Sequence, residues 1–156
     1  MFAAVHFKSS TMARVTTYLN FSNKTEAAFN FYKSVFGGEF EGEVMRLGDG
    51  PPQEGMPELS DADKKLVMHV CLPILGGHAL MGSDAPQSMG FTVNMGNNIY
   101  INLEPDTRAE CDKFFAALSA GGEITMPLMD MFWGSYFGTC TDKFGVMWMF
   151  NCAEKK

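Results

Sequence analysis

A pattern that occurs twice in one chain restricts its fold more than any local propensity does. Tyr18-Leu19-Asn20-Phe21 returns as Tyr100-Ile101-Asn102-Leu103, Phe31-Tyr32 as Phe114-Phe115, and Gly37-Gly38-Glu39 as Gly121-Gly122-Glu123. The interval between echoes grows by one residue at each step, as small loop insertions would produce. A chain of 156 residues is about one domain long, so that domain is built from two copies of one module.

Each copy opens on an alternating strand and passes into a helical pattern. Ala28, Phe31, Tyr32 and Val35 fall at i, i+3, i+4 and i+7, and Cys111, Phe114, Phe115 and Leu118 repeat the spacing. Such spacing places one apolar stripe on each helix. Thr25 and Thr107 are the predicted N-caps, and the glycine pairs supply the left-handed stop. Three strand-like runs follow each helix: Glu39–Leu47, Leu66–Pro73 and Gly77–Gly82, then Glu123–Met131, Ser135–Thr141 and Val146–Asn151. The last two of each set are close enough for hairpins, turning at Leu75-Gly76 and at Asp142-Lys143-Phe144-Gly145. Each half reads β-α-β-β-β. The stretch Gly48–Lys65, rich in Gly, Pro and acid, is predicted to be a loop. Residues 1–13 are expected to be a tail, with Met1 or Met12 as the start; 14–82 form the first module, 83–97 a linker and 98–152 the second module.

Alternation assigns faces to the strands. Thr17, Leu19 and Phe21, with Ile99, Ile101 and Leu103, should pack under the helices. Thr16, Tyr18 and Asn20, with Asn98, Tyr100 and Asn102, should face the other way. In the third strand Leu66, Met68, Val70 and Leu72 form the predicted helix-side face, which leaves Val67, His69 and Cys71 opposite. If Pro73 pairs with Gly77, His69 lies across from Met81; by the same rule Phe137 lies across from Met149. Trp148 and Phe150 are expected in the core.

The composition excludes several classes. Lys plus Arg is 12 and Asp plus Glu 18, a net charge of −6, which argues against nucleic acid because phosphate binding runs on clustered cations. No apolar run reaches the roughly 18 residues of a membrane span. Cys71, Cys111, Cys140 and Cys152 are widely spaced in apolar stretches, as free thiols in a cytoplasmic protein are. There is no GxSxG and no cysteine in a basic context for a nucleophilic hydrolase.

The tandem module resembles the vicinal oxygen chelate superfamily, which includes glyoxalase I, bleomycin-resistance proteins and extradiol dioxygenases. It is most similar to the PhnB-like branch. The resemblance rests on Tyr18-Leu19-Asn20-Phe21, Glu26-Ala27-Ala28-Phe29-Asn30-Phe31-Tyr32, Val35-Phe36-Gly37-Gly38-Glu39, Val67-Met68-His69-Val70 and Asp142-Lys143-Phe144-Gly145-Val146-Met147-Trp148. It implies an α+β fold, two tandem β-α-β-β-β modules forming curled mixed sheets around a cleft, and a homodimer.

Catalytic members of that superfamily hold a divalent metal with His and Glu from the first and fourth strands of each module. The matching positions here are Thr16, Met81, Asn98 and Met149. None is His, Glu or Asp, and methionine is too soft for the hard cations concerned. No metal and no other cofactor is therefore expected. The methyltransferase label that this branch often carries needs a glycine-rich loop between strand and helix, whereas the glycine pairs here follow helices. The expected function is that of a metal-free cleft holding an apolar or aromatic small molecule, lined by His69, Tyr18, Asn20, Tyr100, Asn102, Met81, Phe137 and Met149. Met and Phe, 13 and 14 in number, suit such an adaptable lining. His69 is the best single candidate for a general acid or base. The alternative is a metal-dependent lyase, isomerase or dioxygenase that uses His69 with a nearby carboxylate such as Asp84. His78, beside the Gly76-Gly77 turn, is expected to be a packing or surface residue.

Overall fold

A computed structural model of the chain describes residues 13–51, 55 and 58–153; the N-terminal tail before residue 13 and the two candidate start sites lie outside them. The order of elements is β1 Thr17–Phe21, α1 Thr25–Phe36, β2 Met45–Arg46, β3 Val67–Pro73, β4 Ala79–Asp84, β5 Ile101–Leu103, α2 Arg108–Ser119, β6 Glu123–Asp130, β7 Tyr136–Thr141 and β8 Met147–Cys152. Two four-stranded mixed sheets result, ordered β1-β4-β3-β2 and β5-β8-β7-β6. In each, the first strand runs parallel to the fourth and the rest are antiparallel. The α+β fold of two β-α-β-β-β modules is thus present.

The helices form where the apolar stripes put them. Ala28, Phe29, Tyr32 and Val35 are buried on α1, with Phe31 half-buried beside them; Cys111, Phe114, Phe115 and Leu118 are buried on α2. Thr107 caps α2 as expected, its side chain accepting the Glu110 N–H at 3.2 Å. Thr25 does not cap α1. It is the first helical residue, and its N–H is instead taken by the Asp84 carboxylate at 3.0 Å. The other oxygen of Asp84 accepts the Val67 N–H at 2.8 Å. One carboxylate at the end of β4 therefore joins the start of α1 to the start of β3. An anion there also suits the positive end of the helix dipole.

The two modules share one core. Phe21, Tyr32, Leu72, Leu80, Leu103, Phe114, Trp148 and Phe150 belong to a single buried cluster. Rings of α1 reach the second module: Tyr32 and Phe36 lie 5.5 and 5.7 Å from Trp148, and Phe36 lies 5.4 Å from Phe114. At the centre Asp142, 3% exposed, accepts four hydrogen bonds. Oδ2 takes the Tyr32 hydroxyl and the Trp148 indole N–H, both at 2.8 Å. Oδ1 takes the N–H groups of Phe144 at 2.8 Å and Val146 at 3.1 Å. A buried carboxylate is tolerable only with its lone pairs filled, and here they are filled from both modules. Burial, with Asp142 alongside, pushes the Tyr32 hydroxyl far above the usual tyrosine range, so it remains a neutral donor.

Several sequence expectations are corrected. The run Glu39–Leu47 is a strand only at Met45–Arg46. Gly38 and Gly42 take φ of 79° and 80°, and outside those two residues the edge is continued by the Glu41 N–H to Cys71 carbonyl bond, 2.8 Å, and the Leu47 N–H to Leu66 carbonyl bond, 2.9 Å. Among its described residues Gly48–Lys65 carries short 3₁₀ turns, Leu47–Asp49 across its start and Asp63–Lys65 at its end. β4 runs on through Ser83 to Asp84, residues expected in the linker. Ile99 lies before β5 and is 76% exposed rather than packed under a helix. Val67 is fully buried in the core and Met68 only half-buried, the reverse of plain alternation; the β2–β3 register breaks at this place, between Met45 and Arg46.

Candidate functional site

The helices cover one face of each sheet, and the other faces carry the site residues named from sequence except Tyr100, which precedes β5. Paired positions on neighbouring strands share a face. In the first sheet Tyr18 pairs with Met81, and Met81 with Cys71. In the second, Asn102 pairs with Met149, and Met149 with Thr139. The middle of each face lies deepest: Cys71 and Thr139 are buried, Met81 and Met149 half-buried, Tyr18 and Asn102 exposed.

The hairpins are registered two residues away from expectation. Ile74 and His78 bond to each other at 2.8 Å around a 3₁₀ turn at Leu75–Gly77, so Pro73 pairs with Ala79 rather than Gly77. Met81 accordingly faces Cys71, not His69. The second hairpin closes in the same way at Asp142 and Val146, so Met149 faces Thr139, and Phe137 faces Asn151. The first strands differ as well. Tyr18 lies beside Met81, whereas the place beside Met149 goes to Asn102, and Tyr100 falls ahead of β5.

His69 remains on the open face. Its Nδ1 is 3.4 Å from the Tyr18 hydroxyl, and the rings stack at 6.0 Å between centroids, 30° from parallel. Met45 of β2 is its cross-strand neighbour. Asn20 accepts a hydrogen bond from Ser83 at 3.1 Å on the same face. In the second sheet Phe137 pairs with Met129 and meets the Trp133 ring at 5.9 Å; Trp133 in turn lies 4.9 Å from Phe132. Thr125 and Thr139 share a 2.7 Å bond. Large apolar side chains are left in the open here: Phe132 is 97% exposed, and Trp133 and Met129 are about half-exposed. His78 packs on the helix side, its Nε2 2.9 Å from the Thr17 hydroxyl.

The donor set does not fit a hard divalent cation. Thr16 donates to the Met81 sulfur at 3.9 Å, and Met149 is flanked by Asn102 and Thr139. Among the described residues no three of His, Cys, Asp and Glu converge so as to hold an ion. The pairing of His69 with Asp84 is not formed either. Asp84 alternates to the helix side, and both its oxygens are occupied by backbone N–H groups. All four cysteines are unpaired and buried; loss of hydration raises Cys71 to about 11 and Cys111 and Cys140 to about 12, so these three are not ready nucleophiles. No helix among the described residues is long and apolar enough to cross a membrane.

Sequence reasoning missed the contribution of the linker. A cavity of about 560 Å³ lies between Asn20, Ser83 and Asp84 on one side and residues 91–96 on the other. The signal was faint: Phe91, Thr92, Asn94 and Met95 form an apolar and amide mixture in a segment without strand or helix periodicity.

Comparison with known proteins agrees with this architecture. The family model described as Glyoxalase/Bleomycin resistance protein/Dioxygenase superfamily matches residues 14–150. Protein YjdN of Escherichia coli K12 is 26% identical over 151 residues, covering 91% of this chain and 97% of that one. Among solved structures, protein PA1353 from Pseudomonas aeruginosa superposes with a TM-score of 0.77 at 35% identity, covering 92% of this chain and all of that one. A PhnB protein from Bacillus cereus superposes with a TM-score of 0.67 at 30% identity, over 90% of this chain and all of that one.

Proposed function

Because this chain belongs to the Glyoxalase/Bleomycin resistance protein/Dioxygenase superfamily, we propose that it is a PhnB-like, metal-free small-molecule-binding protein with an apolar or aromatic ligand. The observation that carries this reading is the make-up of the two open sheet faces. They present rings, thioethers and amides around one histidine; the carboxylates that reach them, Glu41 on Cys71 at 3.5 Å and Glu104 on Asn102 at 3.0 Å, stand singly, one against each sheet, and among the described residues no three candidate ligands gather for a metal ion. Met81 and Met149 occupy the fourth-strand positions and supply soft, adaptable contacts. Tyr18, Tyr100 and Phe137 supply flat ones, and Asn20 and Asn102 orient polar atoms of the ligand. His69, held by Tyr18, is the group of this surface best suited to exchange a proton or a hydrogen bond with the ligand.

The functional unit in this reading is a homodimer. Met129, Phe132 and Trp133 leave large apolar side chains in the open next to one another, and a second copy placed against them would turn open faces into a closed cleft. The four unpaired thiols favour a reducing compartment, the cytoplasm. The Bacillus cereus PhnB structure carries the name "Putative 3-demethylubiquinone-9 3-methyltransferase", but in this chain Gly37 and Gly121, at φ of 75° and 74°, follow helices instead of opening them, which speaks against that activity here. Net negative charge gives no reason to invoke nucleic acid.

The test combines elemental analysis of the purified protein with titration of 1-naphthol followed by Trp133 fluorescence. The expected result is no stoichiometric zinc, nickel, manganese or iron, and naphthol binding that is indifferent to EDTA and weakened by Tyr18→Ala. Stoichiometric metal, or binding abolished by EDTA, would overturn the reading. Sedimentation at micromolar concentration tests the dimer, and a monomer at every concentration refutes it.

A further inference from the structure

The linker between the modules is built as a wall. Its first part is anchored by Pro86, which is fully buried, and by Ser88, whose hydroxyl donates to Asp63 at 2.9 Å. Its far part is anchored by Met95, whose side chain packs on the Cα side of Gly145, leaving only 3.2 Å for an added Cβ. Between these anchors the chain spans the end of the first sheet, and the 560 Å³ cavity lies beneath it. That volume falls within the usual range for a small-molecule pocket.

The chemistry of the lining is selective. The apolar part comes from Ala85, Phe91, Val93 and Met95, with Phe91 and Met95 about half-exposed. The polar part comes from Asn20, Ser83, Thr92 and Asn94, all neutral. The Oδ1 of Asn20 is engaged by Ser83, an arrangement that leaves its NH₂ group outside that bond. Asp84 is the one ionisable residue of the lining among the described residues, and both its oxygens already accept backbone N–H groups. It neither calls for a cation nor tolerates an anion beside it. Among the described residues no Lys, Arg or His lines the cavity to offset a negative ligand.

We propose that this cavity is the specificity-determining subsite of the binding protein described above, and that it takes the uncharged hydrogen-bonding end, an amide, carbonyl or hydroxyl, of an aromatic ligand. The subsite rests on that functional reading and narrows it. The ring lies toward Phe91 and Met95, the neutral acceptor toward Asn20 and Thr92, and carboxylated analogues are refused because burying their charge finds no partner. Residues 91–95, outside the repeat, then choose the ligand, while the repeated modules provide the frame.

The experiment uses two probes of equal shape, benzamide and benzoate, titrated into the full chain and followed by amide shifts in ¹⁵N NMR. Benzamide is expected to move Asn20, Ser83, Thr92 and Asn94, with benzoate at least tenfold weaker. Asn20→Ala and, separately, Thr92→Ala should each weaken benzamide about five- to tenfold. Thr92 lies outside regular structure, so that variant keeps the test open if Asn20→Ala folds poorly. Shifts confined to Tyr18, His69, Met81 or Met149 would overturn the subsite while leaving the functional reading intact. Equal or tighter binding of benzoate would overturn the neutral-ligand assignment. Failure of benzamide and of 1-naphthol to shift any residue would overturn both.

Discussion

Replacing Asp142 by Asn tests how the two modules are held together. The carboxylate accepts four hydrogen bonds, two on each oxygen. An amide keeps one accepting oxygen and substitutes an NH₂ group for the other. With the oxygen toward the turn, Phe144 and Val146 are satisfied and the NH₂ meets Tyr32 and Trp148. Tyr32 can rotate its hydroxyl to accept, but the indole of Trp148 only donates and is left unpaired in a fully buried position. With the amide flipped, two backbone N–H groups lose their partner instead. Leaving one buried donor unsatisfied costs about 1–3 kcal/mol, and the charge-assisted bonds lost with the carboxylate add to it. The expected loss is about 2–4 kcal/mol, a large part of the stability of an ordinary domain. Urea unfolding at fixed protomer concentration measures it; the midpoint should fall by about 1 M or more with an unchanged slope. Tyr32→Phe should cost about 1 kcal/mol alone and less when Asp142→Asn is already present. An Asp142→Asn protein within about 0.5 kcal/mol of the wild type would refute the reasoning, because the carboxylate would then not be the joint between the modules.

Other outcomes follow from the same structure. Gly82→Ala would bring a Cβ to 2.5 Å from the Phe29 ring and 3.0 Å from the Leu19 carbonyl. A loss of about 1–3 kcal/mol is expected, and a thermal midpoint equal to wild type would show that α1 can move away from the sheet. Asp84→Ala leaves the Thr25 and Val67 N–H groups without their acceptor and should speed hydrogen exchange at those two amides before any others; uniform exchange would contradict that assignment. Stability should also fall in alkali. Cys71, Cys111 and Cys140 are raised by burial from 9.0 to about 11, 12 and 12. The unfolded chain therefore releases these protons first, so their contribution is intact below about pH 9 and is lost as the pH climbs toward 12. Buried Tyr32 acts with the same sign. A urea midpoint that stays level from pH 8 to pH 11 would contradict it. At neutral pH a thiol reagent should label the four cysteines only as fast as the protein opens, and prompt labelling of any one would show that its burial is incomplete.

The repeat, the helix stripes and the two faces of the first strand were all readable from the sequence, because burial enforces periodicity and both helices are covered along their whole length. Details set by turns were not. Register depends on how a hairpin closes, and nothing in the letters Ile74 to His78 shows that a 3₁₀ turn will pair those two residues and carry Met81 past His69. Thr25 looked like a cap because Thr commonly is one; the group that replaced it, Asp84, is distant in sequence and meets the helix only once β4 is in place. Asp142 looked like a turn residue, which it is, but its second role needs Tyr32 from the other module. The linker cavity lies in an aperiodic segment, where pattern has nothing to say.

One sheet thickness separates the side chains that keep this protein folded from those proposed to meet a ligand. Leu80 and Trp148 point into the shared core while Met81 and Met149, one residue further along the same strands, point away from it. The cost of changing the second set is therefore nearly independent of the first. Such a molecule can be retuned to a new ligand by point substitutions on one side of its sheets, with little effect on whether it folds.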